Sequence, residues 1–157
     1  MKSGSSSTSV VRAVAYFLMA CLAVATSAAA ADPIPCQVLT EADVKGVLGA
    51  EWQASPSSSK TDACEYRGSG GKSVTLVLTE DSSAAASMLG TRRQMAGGRA
   101  KPVAGPGVGA FRLDTPTANA IVFGRGKWVA QIDAAPSTAS DPGTLDRLAK
   151  MAYDRLP

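Results

Sequence analysis

The chain has 157 residues, 18 % of them charged and only 5 % aromatic, with a formal net charge of +3 and no histidine. The missing histidine removes the Ser-His-Asp and Cys-His arrangements and the usual Cys/His zinc sets. Of the first thirty residues only Lys2 and Arg12 are charged, so the rest holds 14 basic against 13 acidic side chains, with no excess charge for nucleic acid.

Residues 1–30 read as a secretory signal peptide. A basic start precedes an apolar run from Val10 to Val24, broken only by Arg12, and the small residues Thr26-Ser27-Ala28-Ala29-Ala30-Ala31 follow. The turn-prone Asp32-Pro33 favours cleavage after Ala30. The uncharged run from Ala13 is about 19 residues, near a membrane span, so a retained anchor is the alternative. A competing reading makes Leu18-Met19-Ala20-Cys21 a lipobox, with Cys21 the lipidation site. Met at its second position and the apolar Leu22-Ala23-Val24-Ala25 after it argue against that reading.

Residues 31–157 are long enough for one domain and too short for two. Cys36 and Cys64 are the cysteines left after cleavage, and an even pair in an exported chain predicts a disulfide, with free or metal-binding thiols as the alternative. Thr40-x-x-Asp43 has capping-box spacing, and Leu39 and Val44 stand at the hydrophobic-staple positions. Val44, Val47 and Leu48 make an apolar face and Gly49 a stop, which predicts a helix over 41–48.

Residues 53–62 are polar, with Pro56 and four serines, and read as a loop. Strands are predicted at 63–67 and 73–79, joined as a hairpin through Ser69-Gly70-Gly71. Glu80-Asp81-Ser82-Ser83 opens a helix over 83–96 with Ala85, Met88, Leu89, Met95 and Ala96 near one side, stopped by Gly97-Gly98. Arg92, Arg93, Arg99 and Lys101 gather at its end; they complement the helix dipole or offer a contact for an anionic ligand or lipid. Residues 97–109 read as a Gly/Pro-rich connection. Strands follow at 110–114, 120–123 and 127–133, then Asp141-Pro142 as N-cap and first helical residue. Leu145, Leu148, Ala149, Ala152 and Leu156 at helical spacing predict a closing amphipathic helix. The order α-β-β-α-β-β-β-α predicts an α+β fold: an antiparallel sheet of about five strands with helices mostly on one face and one disulfide.

Catalytic motifs are weak. Ser57-Ser58-Ser59-Lys60 matches S-x-x-K but lies in a Ser/Pro loop without partner motifs. Gly71-Lys72-Ser73 resembles the end of a P-loop, yet Tyr66 stands where the first glycine belongs and a strand follows. Gly105-Pro106-Gly107-Val108-Gly109 also precedes a strand, so a sharp turn explains it better than phosphate binding. The carboxylates are scattered. No catalytic residue, cofactor or metal is expected. Most aromatics fall on elements and predict core; Trp128, beside a Gly-rich turn, is the candidate exposed binding aromatic.

Taken together, Pro35-Cys36, Leu39-Thr40, Val44, Leu48-Gly49, Cys64-Glu65-Tyr66, the run Val103 to Ala110 and the ending Arg155-Leu156-Pro157 resemble a family of small exported bacterial cell-envelope proteins, many of them lipoproteins. Val38 departs from the family's leucine, and the second cysteine pair of many relatives is missing. The resemblance implies an α+β envelope domain and supplies no catalytic residues. The expected function is an exported, non-catalytic binding or accessory protein of the envelope, probing a protein, polymer or small apolar ligand with the sheet face or the 97–109 loop. An Asp/Glu- or Ser-dependent hydrolase and a secreted inhibitor-like protein are the alternatives. The chain is expected to be a monomer, to bind no nucleic acid, and to reach the membrane only through Cys21 lipidation or an uncleaved signal.

Overall fold

A computed structural model describes residues 32–56, 62–81, 83–138 and 141–157. The signal peptide predicted over residues 1–30, with Cys21, and the Ser57–Lys60 motif lie outside the described residues. The fold is α+β: a seven-stranded antiparallel sheet with helices on it. Its elements in order are α1 Pro35–Val38, α2 Glu41–Leu48, β1 Gln53–Pro56, β2 Ala63–Arg67, β3 Ser73–Glu80, α3 Ala85–Ala96, β4 Ala100–Pro102, β5 Phe111–Asp114, β6 Asn119–Arg125, β7 Trp128–Ala134 and α4 Pro142–Arg155. Across the sheet the order is β1-β2-β3-β7-β6-β5-β4. The last strand in sequence therefore sits in the middle, paired with β3 on one side and β6 on the other.

Seven strands correct the expectation of five. The two additions are the edges, β1 and β4, in segments read as loop and connection. Each is short and ends in proline, which cannot donate to a ladder and is tolerated only at an edge. Their partners make them strands: Ala54 pairs with Tyr66, and Lys101 with Arg112. The short prolines-terminated edges also blunt pairing with other chains.

Strand alternation divides the sheet into two faces. Tyr66, Leu76, Ile132, Ile121 and Phe123 point inward and are fully buried with Trp52 beneath α1, α2 and α4. The opposite, outer face carries a separate apolar cluster of Phe111, Val122 and Val129 under Ala85 and Leu89 of α3. Three helices thus cover one face and α3 the other.

The predicted helix 41–48 forms within those bounds. Thr40 accepts from the Asp43 amide while Asp43 accepts from the Thr40 amide at 2.8 Å, and Leu39 and Val44 are both buried. Asp141 caps α4 by accepting from the Gly143 amide at 3.1 Å, and Leu145, Leu148, Ala149, Ala152 and Leu156 are all buried. Arg125, in β6, donates to the Tyr153 and Asp154 carbonyls and closes the other end of α4.

The helix expected from residue 83 starts at Ala85 instead. Glu80 stays in β3 opposite Trp128, and Asp81 spends its carboxylate on the Ser83 amide and hydroxyl, at 2.9 and 2.7 Å, in a local turn. Met95, expected on the apolar side, is 80 % exposed.

One electrostatic link joins the two ends of the domain. Arg155 at the end of α4 donates to both Asp43 carboxylate oxygens, the Nη2–Oδ1 contact being 3.0 Å, and to the Val38 carbonyl at 3.2 Å. Below it the Tyr66 hydroxyl donates to the Leu39 carbonyl. Burial, aided by the Asp43 charge, raises the Tyr66 pKa. The Arg155 hydrogen bond, with those from Thr40, outweighs desolvation and holds Asp43 down to about 2. Because the folded value lies below the unfolded one, this contribution is complete above about pH 4 and is lost as pH falls toward 2. We expect Asp43→Asn to destabilise the protein by about 1–2 kcal/mol at pH 7, with the difference closing by pH 2, as read from urea unfolding across pH. A gap at pH 2 as large as that at pH 7 would refute the assignment.

Candidate functional site

The outer face is only partly covered. α3 packs mainly on β6 and β7. Beyond it, the outer sides of β2, β3 and β7 carry Glu65, Arg67, Ser73, Thr75, Val77, Thr79, Gln131 and Asp133, all half-buried or exposed.

Register orders these side chains in rows. Glu65 pairs with Thr75, which pairs with Asp133; Ala63 pairs with Val77, which pairs with Gln131. At two strand spacings, the backbones of Glu65 and Asp133 are about 9–10 Å apart. Gln131 donates from Nε2 to both Asp133 oxygens at 2.9 and 3.0 Å. Arg92 reaches down from α3, donating to Gln131 Oε1 at 3.2 Å and Thr79 Oγ1 at 3.5 Å. Burial raises the Asp133 pKa, opposed by the Gln131 hydrogen bond and the Arg92 charge. Glu65 is already paired with Arg67 at 2.9 Å. A cavity of about 170 Å³ lies at the end of this face, lined by Glu65, Arg67, Gly68, Gly71, Lys72 and Ser73.

A second hollow, of about 320 Å³, lies where the described chain begins, lined by Pro33, Ile34, Gln37, Val38, Arg155 and Pro157. Ile34 there is 54 % exposed.

The sequence-predicted residues do not converge on one place. Cys36 and Cys64 form the disulfide, which joins α1 to β2. Trp128 is corrected: it is 8 % exposed, on the inner side of β7 and part of the core, because strand alternation in β7 points Trp128, Ala130, Ile132 and Ala134 the same way. Lys127 lies 5.2 Å over its ring and shields the remaining edge. The four basic residues separate. Arg92 lies on the outer face, Arg93 and Arg99 are exposed, and Lys101 pairs with Asp114 at 2.9 Å on the edge. The 97–109 stretch holds β4 and a loop in which Pro106 is buried and Val108 is 97 % exposed.

Asp133, Gln131, Thr75 and Thr79 were missed by the sequence reading. Their signal was the polar half of the alternation in Ser73–Thr79 and Lys127–Asp133. That signal does not tell a plain solvent-facing side from a binding side.

Among the described residues no group of His, Cys, Asp or Glu is placed to hold a metal ion, and no helix is long and apolar enough to cross a membrane. No family model, curated protein or solved structure matches the chain. What fold and face define together is a disulfide-linked α+β domain with a partly covered, mixed-polarity sheet face.

Proposed function

We propose that this protein is an exported, non-catalytic binding module of the bacterial cell envelope, and that it docks a protein partner on the outer face of β2, β3 and β7. The observation that carries the reading is the division of the outer face, with α3 packed over one half while the other is met from α3 by the Arg92 side chain, on Gln131 and Thr79. The bare half mixes Thr75, Val77 and Thr79 with Glu65, Arg67 and Asp133, and polar groups beside β-branched ones suit a protein surface. A small apolar ligand is less well served, because Trp52, Tyr66, Phe123 and the leucines of α4 fill the space beneath the sheet. Export is supported by the disulfide, which persists in oxidising compartments, and by the leader pattern of residues 1–30. The family resemblance points to the same compartment.

Capture from envelope extract tests the reading. Val77→Glu, which places a charge in the middle of the face, should cut partner recovery at least about tenfold. Lys150→Glu, on the exposed side of α4, should leave it unchanged. Equal recovery by both variants and the parent would overturn the docking face.

The hydrolase reading has one observation in its favour: Asp133, with its raised pKa, shares a row with Glu65, at a spacing that leaves room for a water. Glu65 is held by Arg67, however, and the cavity beside it does not include Asp133. Turnover abolished by Asp133→Asn in a purified activity screen would decide for catalysis and against the binding module.

A further inference from the structure

The two apolar clusters of this domain are held with very different strength. α4 starts on an Asp cap with proline in its first turn, buries Leu145, Leu148, Ala149, Ala152 and the following Leu156, and ends under Arg125 while Arg155 grips Asp43. α3 is held at its start, where the Ala85 amide donates to the Gly126 carbonyl at 3.1 Å and Asp81 accepts from the Met88 amide, but its N-cap residue supplies no side-chain cap and it has no comparable buried stripe. Its N-cap, Ala84, offers no side-chain hydrogen bond and sits at φ 103°, where a residue with a Cβ is strained. Of its twelve residues only Ala85 and Leu89 are buried. Its C-terminal half is tied to the sheet by Arg92, through bonds of 3.2 and 3.5 Å that water can replace. It ends at Gly97, with φ 57°, followed by Gly98, a pair that swivels readily.

What α3 covers is self-contained. Phe111, Val122 and Val129, with Leu113 and Ala100 at the margin, form a cluster that shares no buried residue with the inner core. The strands that carry them are laddered to one another, β5 to β6 and β6 to β7, and β6 and β7 also pack on the inner core through Ile121, Phe123 and Ile132.

We propose that α3 is a displaceable cover: it opens as a unit of its own, baring the outer apolar cluster while the inner core stays folded. The sheet beneath it is continuous with the bare half of the outer face, so opening would widen that face from β7 across β6 to β5. This goes beyond the binding module proposed above by making the extent of its face depend on α3. Its test needs no partner and is independent of whether one is captured.

Native-state hydrogen exchange followed by mass spectrometry reads the opening directly. In the parent, amides of residues 89–96 should exchange at least about 100-fold faster than those of residues 129–133, with a denaturant dependence well below that of global unfolding. Leu89→Ala should speed exchange in α3 about tenfold or more and change β7 by no more than about threefold. Ala84→Gly, which relieves the strained dihedral, should slow α3 exchange about fivefold. Exchange of α3 at the rate of β7 in the parent would overturn the proposal even if neither variant folded. So would equal acceleration of α3 and β7 by Leu89→Ala.

Discussion

Replacing both Cys36 and Cys64 by serine should lower the unfolding free energy by about 3–4 kcal/mol. The bond closes a loop of 28 residues, and the entropy that a cross-link of that length removes from the unfolded chain sets this scale. For a domain of this size the midpoint temperature should fall by roughly 10–15 °C. The effect is also local. α1 is a four-residue helix, too short to persist by itself, and carries no side-chain cap. Its buried residues, Pro35 and Val38, are held against the domain by Cys36, and Cys64 is fully buried in β2. Without the bond the segment entering the domain loses its tether, and the Leu39 carbonyl that receives the Tyr66 hydroxyl loosens with it. Thermal unfolding of the parent with and without reductant, beside the double serine variant, measures the contribution. A variant within about 0.5 kcal/mol of the parent would show that the bond constrains little. Retained stability under reductant with a destabilised variant would show that reductant never reached it.

Gly107→Ala should cost about 2–3 kcal/mol, from two causes acting at one atom. Gly107 has φ 83°, in the left-handed region. A Cβ there would also lie 2.6 Å from Tyr153 Cε2 and 3.2 Å from the Gly124 carbonyl oxygen. Tyr153 has little room to yield. It meets the edge of Phe123 with ring centroids 6.4 Å apart, and the Arg125 guanidinium lies 5.3 Å over its ring. The loop is therefore pinned to α4 through a contact that only glycine allows. In a Tyr153→Ala background the same substitution should cost only about 1 kcal/mol, the dihedral strain that remains. An equal cost in both backgrounds would remove the ring from the explanation.

These two features differ in how far the amino-acid order reveals them. The cysteine pair is legible because, once residues 1–30 are read as a signal peptide, the even count that remains has few other uses. The closing of the Gly105–Gly109 turn against Tyr153 is not, since the turn and the ring are far apart in the chain and meet only through β6 and α4. The same distinction runs through the fold. Helix α2 is readable to its ends because Thr40, Asp43, Leu39 and Val44 fix its first turn and Gly49 its end, all by local contacts. Helix α4 is readable from Asp141-Pro142 and a clean apolar stripe. Strands β2, β3, β6 and β7 follow from β-branched alternation, apart from a residue or two at their ends.

The edges β1 and β4 are different. Gln53-Ala54-Ser55-Pro56 and Ala100-Lys101-Pro102 have no strand character of their own, and only ladders to β2 and β5 extend them. Trp128 shows the same limit in a side chain. A position beside a turn leaves its direction open, and the pairing of β7 between β3 and β6 turns it inward. Arg92, Arg93, Arg99 and Lys101 form one basic run in sequence, but α3 and β4 place them at separate sites, each with its own surroundings.

Local chemistry, then, determined the disulfide pair, the capped helices, the main strands and the α+β class, because each depends on groups within a few residues of one another or on a simple count. Tertiary structure alone decided that β7 is central, that the edges are strands, that Trp128 is core, and that one half of the outer face lies under α3 while Glu65, Thr75 and Asp133 line up across the other. Those outcomes depend on which strand pairs with which, and pairing is set by the summed burial of both faces of the sheet and not by any single stretch of the chain.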